Sequence, residues 1–90
     1  MATTLSLLGE EPGTALILRS TRQHPALLIQ GDRLSIAAQV AADLVSDLES
    51  ADQKDAAYSA RELAETLSEW LLSYERMMND ARRELPYSKP

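Results

Sequence analysis

The sequence predicts an α+β fold: a small antiparallel meander of two or three strands, followed by an antiparallel two-helix hairpin with a long second helix. Short apolar stretches separated by turn residues occupy the first third of the 90-residue chain, a pattern typical of strands. The rest of the chain carries apolar residues at helical spacing in two segments. Strands followed by helices are the element order of α+β proteins, and we expect a single domain over residues 1–90.

The predicted strands are three stretches of typical strand length. They read TLSLL, ALILR and ALLIQ and cover about residues 4–8, 15–19 and 26–30. The turn residues GEEPG and STRQHP separate them, since Gly, Pro and Ser interrupt regular structure. The second and third stretches are nearly continuous in apolar residues, and their brevity favours strand over helix.

The first helix is predicted over about residues 33–48. Asp32 stands at the position of an N-cap, where its carboxylate can accept a hydrogen bond from a free N–H group of the first turn. Gly31 eases the entry of the chain into the helix. The apolar positions that follow have the spacing of one helix face, namely Leu34, Ala37, Ala38, Ala41, Leu44, Val45 and Leu48.

The second helix is predicted over about residues 51–84, because Ser50-Ala-Asp-Gln53 matches a capping box. Pro86 then ends it, leaving a tail over 86–90. The predicted core stripe of this helix is regular and contains Ala60, Leu63, Ala64, Leu67, Trp70, Leu71, Tyr74, Met77, Met78, Ala81 and Leu85.

Charge and composition exclude several classes of function. The net charge is −5, which opposes binding to nucleic acid or to an anionic membrane, because phosphate affinity comes mainly from Lys and Arg. No apolar run approaches the ~20 residues that span a bilayer. With no cysteine in the sequence, there is no disulfide framework. We expect a soluble, cytoplasmic protein.

The residues offer little for catalysis. The one histidine, His24, lies before Pro25 in a predicted turn, so a nucleophile would lack the usual base. No HExxH segment or EF-hand loop is present, and the three glycines are too scattered for a phosphate-binding loop. We therefore expect no enzyme, no metal and no cofactor.

The segment RQHPALLIQGDRLS resembles a family of small uncharacterised bacterial proteins. Its recurring pattern is Arg-x-x-Pro-Gly, three apolar residues, then Gln-Gly-Asp-x-Leu. Ala26 departs from this pattern, because it stands where the family has the glycine that follows the proline. The matching residues here are Arg22, Pro25, Leu27, Leu28, Ile29, Gln30, Gly31, Asp32 and Leu34. Leu85-Pro86-Tyr87 is similar to the closing segment of the family, so the resemblance covers most of residues 15–87. It implies a bacterial source and a similar fold, but no activity.

Two residues of the second helix are out of phase with its core stripe. Tyr58 and Leu72 fall on the polar side of the helix, among Glu62, Glu65 and Glu69. One interpretation is a tolerated surface tyrosine and a leucine that meets the sheet or a second subunit. The functional hypothesis is a docking face, with two apolar anchors and an acidic rim for a basic partner.

Three functions are compatible with these observations. The first is a small acidic protein that binds another protein, in the manner of immunity proteins, antitoxins or phage anti-defence inhibitors, with a basic toxin or nucleic-acid-binding enzyme as partner. The second is a homodimeric structural or accessory subunit. The third is a small-molecule binder near the strand-to-helix junction at Gln30, Gly31 and Asp32.

Overall fold

The computed structural model describes residues 3–89 and confirms the predicted α+β class. Three strands, β1 (Leu5–Glu11), β2 (Thr14–Arg19) and β3 (Ala26–Ile29), form one sheet. Two helices follow, α1 (Gly31–Ser50) and the longer α2 (Lys54–Asp80). The chain divides after Gln30 into two compact units, the sheet and the helical hairpin.

The sheet is an antiparallel meander with β2 at its centre. Residues that pair across neighbouring strands point to the same face of a sheet. Ile17 pairs with Leu7 on one side and Ala26 on the other, while Leu16 pairs with Gly9 and Leu27. Both faces are therefore rich in apolar side chains, in agreement with the continuous apolar runs of the sequence.

The first strand is longer than predicted, because most of GEEPG belongs to it. Glu10 and Glu11 pair with residues of β2, and only Pro12 and Gly13 form the turn. Pro12 favours the first central position of a type II turn and Gly13, with a φ of 86°, suits the second. The register shifts between Leu7 and Gly9, so that a β-bulge absorbs the extra residue.

Helix α1 begins two residues earlier than predicted, and the predicted N-cap role of Asp32 is wrong. The helix starts at Gly31, so Asp32 lies inside its first turn. A carboxylate there still interacts favourably with the partial positive charge of the helix N-terminus. The last residue before the helix is Gln30, which ends the sheet unit.

The predicted capping box at residues 50–53 is also wrong. Ser50 is the last residue of α1, and Gln53 is the N-cap of α2 without a side-chain hydrogen bond. The chain instead leaves α1 through a Schellman motif. The N–H of Gln53 donates to the carbonyl of Leu48, the N–H of Asp52 donates to that of Glu49, and Asp52 has a φ of 57°. Backbone groups, not the Ser and Gln side chains, thus form this turn.

Helix α2 ends at Asp80, four residues before the predicted end, in a second Schellman motif. Arg82 has a φ of 57°, and the N–H groups of Arg82 and Arg83 donate to the carbonyls of Asn79 and Met78. Because α2 stops here, Arg82 and Arg83 lie beyond the helix instead of in its last turn. The left-handed conformation costs about 1–2 kcal/mol for a residue with a side chain.

We expect Arg82→Gly to raise the free energy of unfolding by about 0.5–1 kcal/mol, because glycine adopts a positive φ without steric cost. The greater conformational entropy of glycine in the unfolded chain offsets only part of this stabilisation. Arg83→Gly is the matched control, since it removes a neighbouring exposed arginine where φ is not positive. Urea denaturation followed by circular dichroism measures both. Equal shifts for the two variants would contradict this account.

The two helices pack antiparallel along a seam of mostly small side chains. Arg61 of α2 forms a salt bridge with Glu49 at the end of α1, and the start of α1 lies against the ring of Tyr74. The buried and half-buried apolar positions of α1 are Gly31, Leu34, Ala38, Ala41, Val45 and Leu48. Those of α2 are Ala57, Ala60, Ala64, Leu67, Leu71, Tyr74 and Met78.

Candidate functional site

The predicted docking residues lie on one outward face of α2. The helix is continuous from Lys54 to Asp80, so residues spaced alternately by four and three positions share one side. All five side chains are exposed and point away from the seam with α1. We call this set the acidic face: Tyr58, Glu62, Glu65, Glu69 and Leu72.

Four of the five residues of the acidic face line two different surface depressions. Tyr58, Glu62 and Glu65 lie with Arg61 around a depression of about 140 Å³. Leu72 is 14 positions further on, about 21 Å along the helix axis, and lines a depression of about 440 Å³. That second depression also contains Glu75, Arg76, Asn79, Arg83, Leu85 and Lys89. Tyr58 thus has acidic neighbours, whereas Leu72 lies where the charge of the face becomes mixed.

The junction residues Gln30, Gly31 and Asp32 have different environments. Gln30 and Asp32 are exposed, whereas Gly31 is buried. A Cβ atom at Gly31 would overlap the ring of Tyr74. The glycine therefore has a packing role: it allows the start of α1 to lie directly against the aromatic ring of α2.

The C-terminal segment folds back onto the helical hairpin through Glu75. This carboxylate is only 12% exposed; its Oε2 accepts a hydrogen bond of 2.8 Å from the Tyr87 hydroxyl, and its Oε1 lies 3.5 Å from Lys89 Nζ. Tyr87 and Lys89 also line a groove of about 280 Å³. Helix residues complete the groove, among them Ser35, Gln39, Ala42 and Ser68. The tail therefore covers one side of the hairpin.

We expect the stabilising effect of Tyr87 to disappear at alkaline pH. Burial raises the pKa of its hydroxyl above 10.0, and the hydrogen bond to Glu75 and the charge of Glu75 raise this pKa further. Because the folded protein holds the proton more tightly, the contribution is complete below about pH 10 and is lost as the pH rises above it. The difference in unfolding free energy between the wild type and Tyr87→Phe should shrink over that range. A difference independent of pH would contradict this.

The structure reveals an exposed apolar row on each helix that the sequence analysis did not identify as a site. Leu63, Trp70 and Met77 were predicted to be core residues, but they are 56%, 54% and 64% exposed, so that prediction is wrong. On α1, a second exposed apolar row lies well away from the seam, and it includes Leu44, which was predicted to share the apolar face of that helix. We call the combined set the apolar face: Ile36, Val40, Leu44, Leu63, Trp70 and Met77.

Both rows of the apolar face lie on the same side of the hairpin. Taking about 100° per residue, the row on α1 is displaced by roughly 120° from the buried line of its helix, and the row on α2 by roughly 95°. Both displacements have the same rotational sense. Because the helices are antiparallel, equal senses place both rows on one side, whereas the groove under Tyr87 lies on the opposite side.

Residues 3–89 contain neither a membrane-spanning helix nor a cluster of metal ligands. In that range, no helix has a stretch long and apolar enough to cross a bilayer. Over the same residues, His, Asp and Glu side chains do not gather in groups of three that could hold a metal ion.

The sequence of this chain matches a protein family. A family model described as "Family of unknown function (DUF6959)" matches residues 2–87, which is nearly the whole chain. This agrees with the expected uncharacterised family. Neither a curated protein nor a solved structure matches the chain.

Proposed function

We propose that this chain, which belongs to the Family of unknown function (DUF6959), acts without catalysis by binding a basic protein through its acidic face. The observation that carries the proposal is the continuous helix α2, which aligns two exposed apolar side chains and three glutamates on one outward side. We place its action in the cytoplasm of a bacterium, against a toxin or a nucleic-acid-binding enzyme.

The chemistry of the acidic face supports this partner. Interfaces commonly surround a few large anchors with polar groups, and tyrosine is frequent among the residues that contribute most to binding. Tyr58 is 63% exposed with Glu62 and Glu65 beside it, so it offers such an anchor within an acidic rim. The net charge of −5 favours approach by a protein of opposite charge.

Photo-crosslinking in the native host tests the proposal. A photoreactive amino acid at position 58 should capture a protein rich in Lys and Arg, whereas the same group at the exposed position of Gln23 should not. Neutralising the glutamates by Glu62→Gln, Glu65→Gln and Glu69→Gln should strongly reduce the yield of the product at position 58. Three results would contradict the proposal: equal crosslinking yields at positions 58 and 23, capture of an acidic protein at position 58, or no crosslinked protein at position 58.

The two apolar anchors should act mainly on dissociation. Truncation of a buried anchor commonly costs more than about 1 kcal/mol, and most such losses change the dissociation rate. With the crosslinked partner immobilised, we expect Tyr58→Ala and Leu72→Ala to dissociate at least about fivefold faster than the wild type. Unchanged dissociation rates in both folded variants would show that these side chains are not anchors.

A further inference from the structure

The apolar face is large enough to be an interface. Its six side chains are between 47% and 64% exposed, and roughly 100 Å² from each gives about 600 Å² of apolar surface. Soluble monomers rarely leave contiguous apolar patches above a few hundred Å² uncovered. Together with its rim, this area approaches the ~800 Å² that each partner contributes to a standard interface.

The spacing of charged and apolar residues on α1 is self-complementary. Ile36, Val40 and Leu44 lie at equal intervals, with Arg33 before them and Asp47 after them at equal distances from Val40. If a second α1 packs antiparallel about a two-fold axis at Val40, Ile36 meets Leu44 of the second copy. Arg33 then meets Asp47 of the second copy, so opposite charges lie at both ends of the contact.

We propose that the apolar face binds a second copy of this chain, forming a two-fold dimer in which Val40 lies near the axis. Trp70 supplies a large aromatic side chain beside the α1 contact, and aromatic residues are enriched in interface cores. The opposite side of the hairpin is covered by Tyr87 and Lys89, so the tail leaves the apolar face free. This inference does not rest on the proposed function.

Sedimentation equilibrium of the full chain tests the dimer without any other protein. We expect about twice the 9.9 kDa chain mass at micromolar concentrations. Val40→Glu should give the monomer mass, because it places two like charges together at the axis. Ser46→Glu is the control on α1, since this exposed residue lies outside the apolar face, and it should leave the dimer intact. Circular dichroism should show unchanged helix content in both variants.

A charge exchange tests the antiparallel arrangement. Arg33→Asp or Asp47→Arg alone places like charges opposite each other twice per dimer and should weaken association several-fold, whereas the double variant should restore it. A mass of 9.9 kDa at all concentrations would overturn the proposal. The apolar face would then not be a contact between two copies of this chain. A dimer that survives Val40→Glu, or a double variant without rescue, would overturn the proposed contact. Neutralised Glu62, Glu65 and Glu69 should leave the mass unchanged.

Discussion

We expect Gly31→Ala to lower the free energy of unfolding by about 1–3 kcal/mol, although alanine is the better helix former. The reason is the contact at the start of α1, where a Cβ atom would overlap the Tyr74 ring. The Tyr74 ring is half-buried in the seam, so displacing it to make room for the Cβ atom removes packing contacts between the two helices. Urea denaturation followed by circular dichroism measures the loss.

Two variants isolate the cause of this loss. Gly9→Ala is the matched control, because the nearest atom to an added Cβ there is the Leu16 Cβ at 3.9 Å, an ordinary contact, and it should be neutral or stabilising. In a Tyr74→Ala background, Gly31→Ala should cease to be destabilising, since the ring is gone. If the loss persists in that background, contact with Tyr74 is not its cause.

Leu34→Ala should cost about 2–5 kcal/mol, the usual range for a buried leucine. Leu34 is 9% exposed and is the most deeply buried of the large side chains in the described residues; the other strongly buried residues of the hairpin, Gly31, Ala41 and Ala57, are small. Its removal therefore leaves a cavity that small neighbours cannot fill. Thermal and chemical unfolding, both followed by the circular dichroism signal of the helices, measure the effect.

The matched control for this substitution is Leu72→Ala. It removes the same atoms from a leucine that is 49% exposed on the outward side of α2, so it should cost less than about 1 kcal/mol. A comparable loss in the two variants would show that burial in the seam does not distinguish them. The control also establishes that the binding variant at position 72 is folded.

The sequence predicted the fold well where periodicity and turn residues decide it. The apolar runs ending at Arg19 and Ile29 and the helical spacing beyond Gly31 gave the right elements in the right order. Element ends were less predictable. The Ser50–Gln53 segment fits a capping box, but the backbone bonds of Asp52 and Gln53 to the end of α1 take its place. A side-chain pattern does not reveal such backbone alternatives.

The surfaces were only partly predictable, because helical spacing shows which residues share a face but not how much of it a neighbour covers. Tyr58 and Leu72 were correctly placed outside the seam. Leu63, Trp70 and Met77 were assigned to the core because they continue the apolar stripe. The seam of α1 is too narrow to cover that stripe, and the excess forms part of the apolar face.

The most direct test of the proposed function is the salt dependence of association with the crosslinked basic partner. Electrostatic steering accelerates encounter at low salt, so the Glu62→Gln, Glu65→Gln, Glu69→Gln variant should associate about tenfold more slowly there, with a much weaker dependence on salt. The control is Glu10→Gln, Glu11→Gln, Glu84→Gln, which removes the same charge from other exposed positions and should retain most of the wild-type slope. Equal slopes for the two triple variants would contradict an acidic binding face on α2.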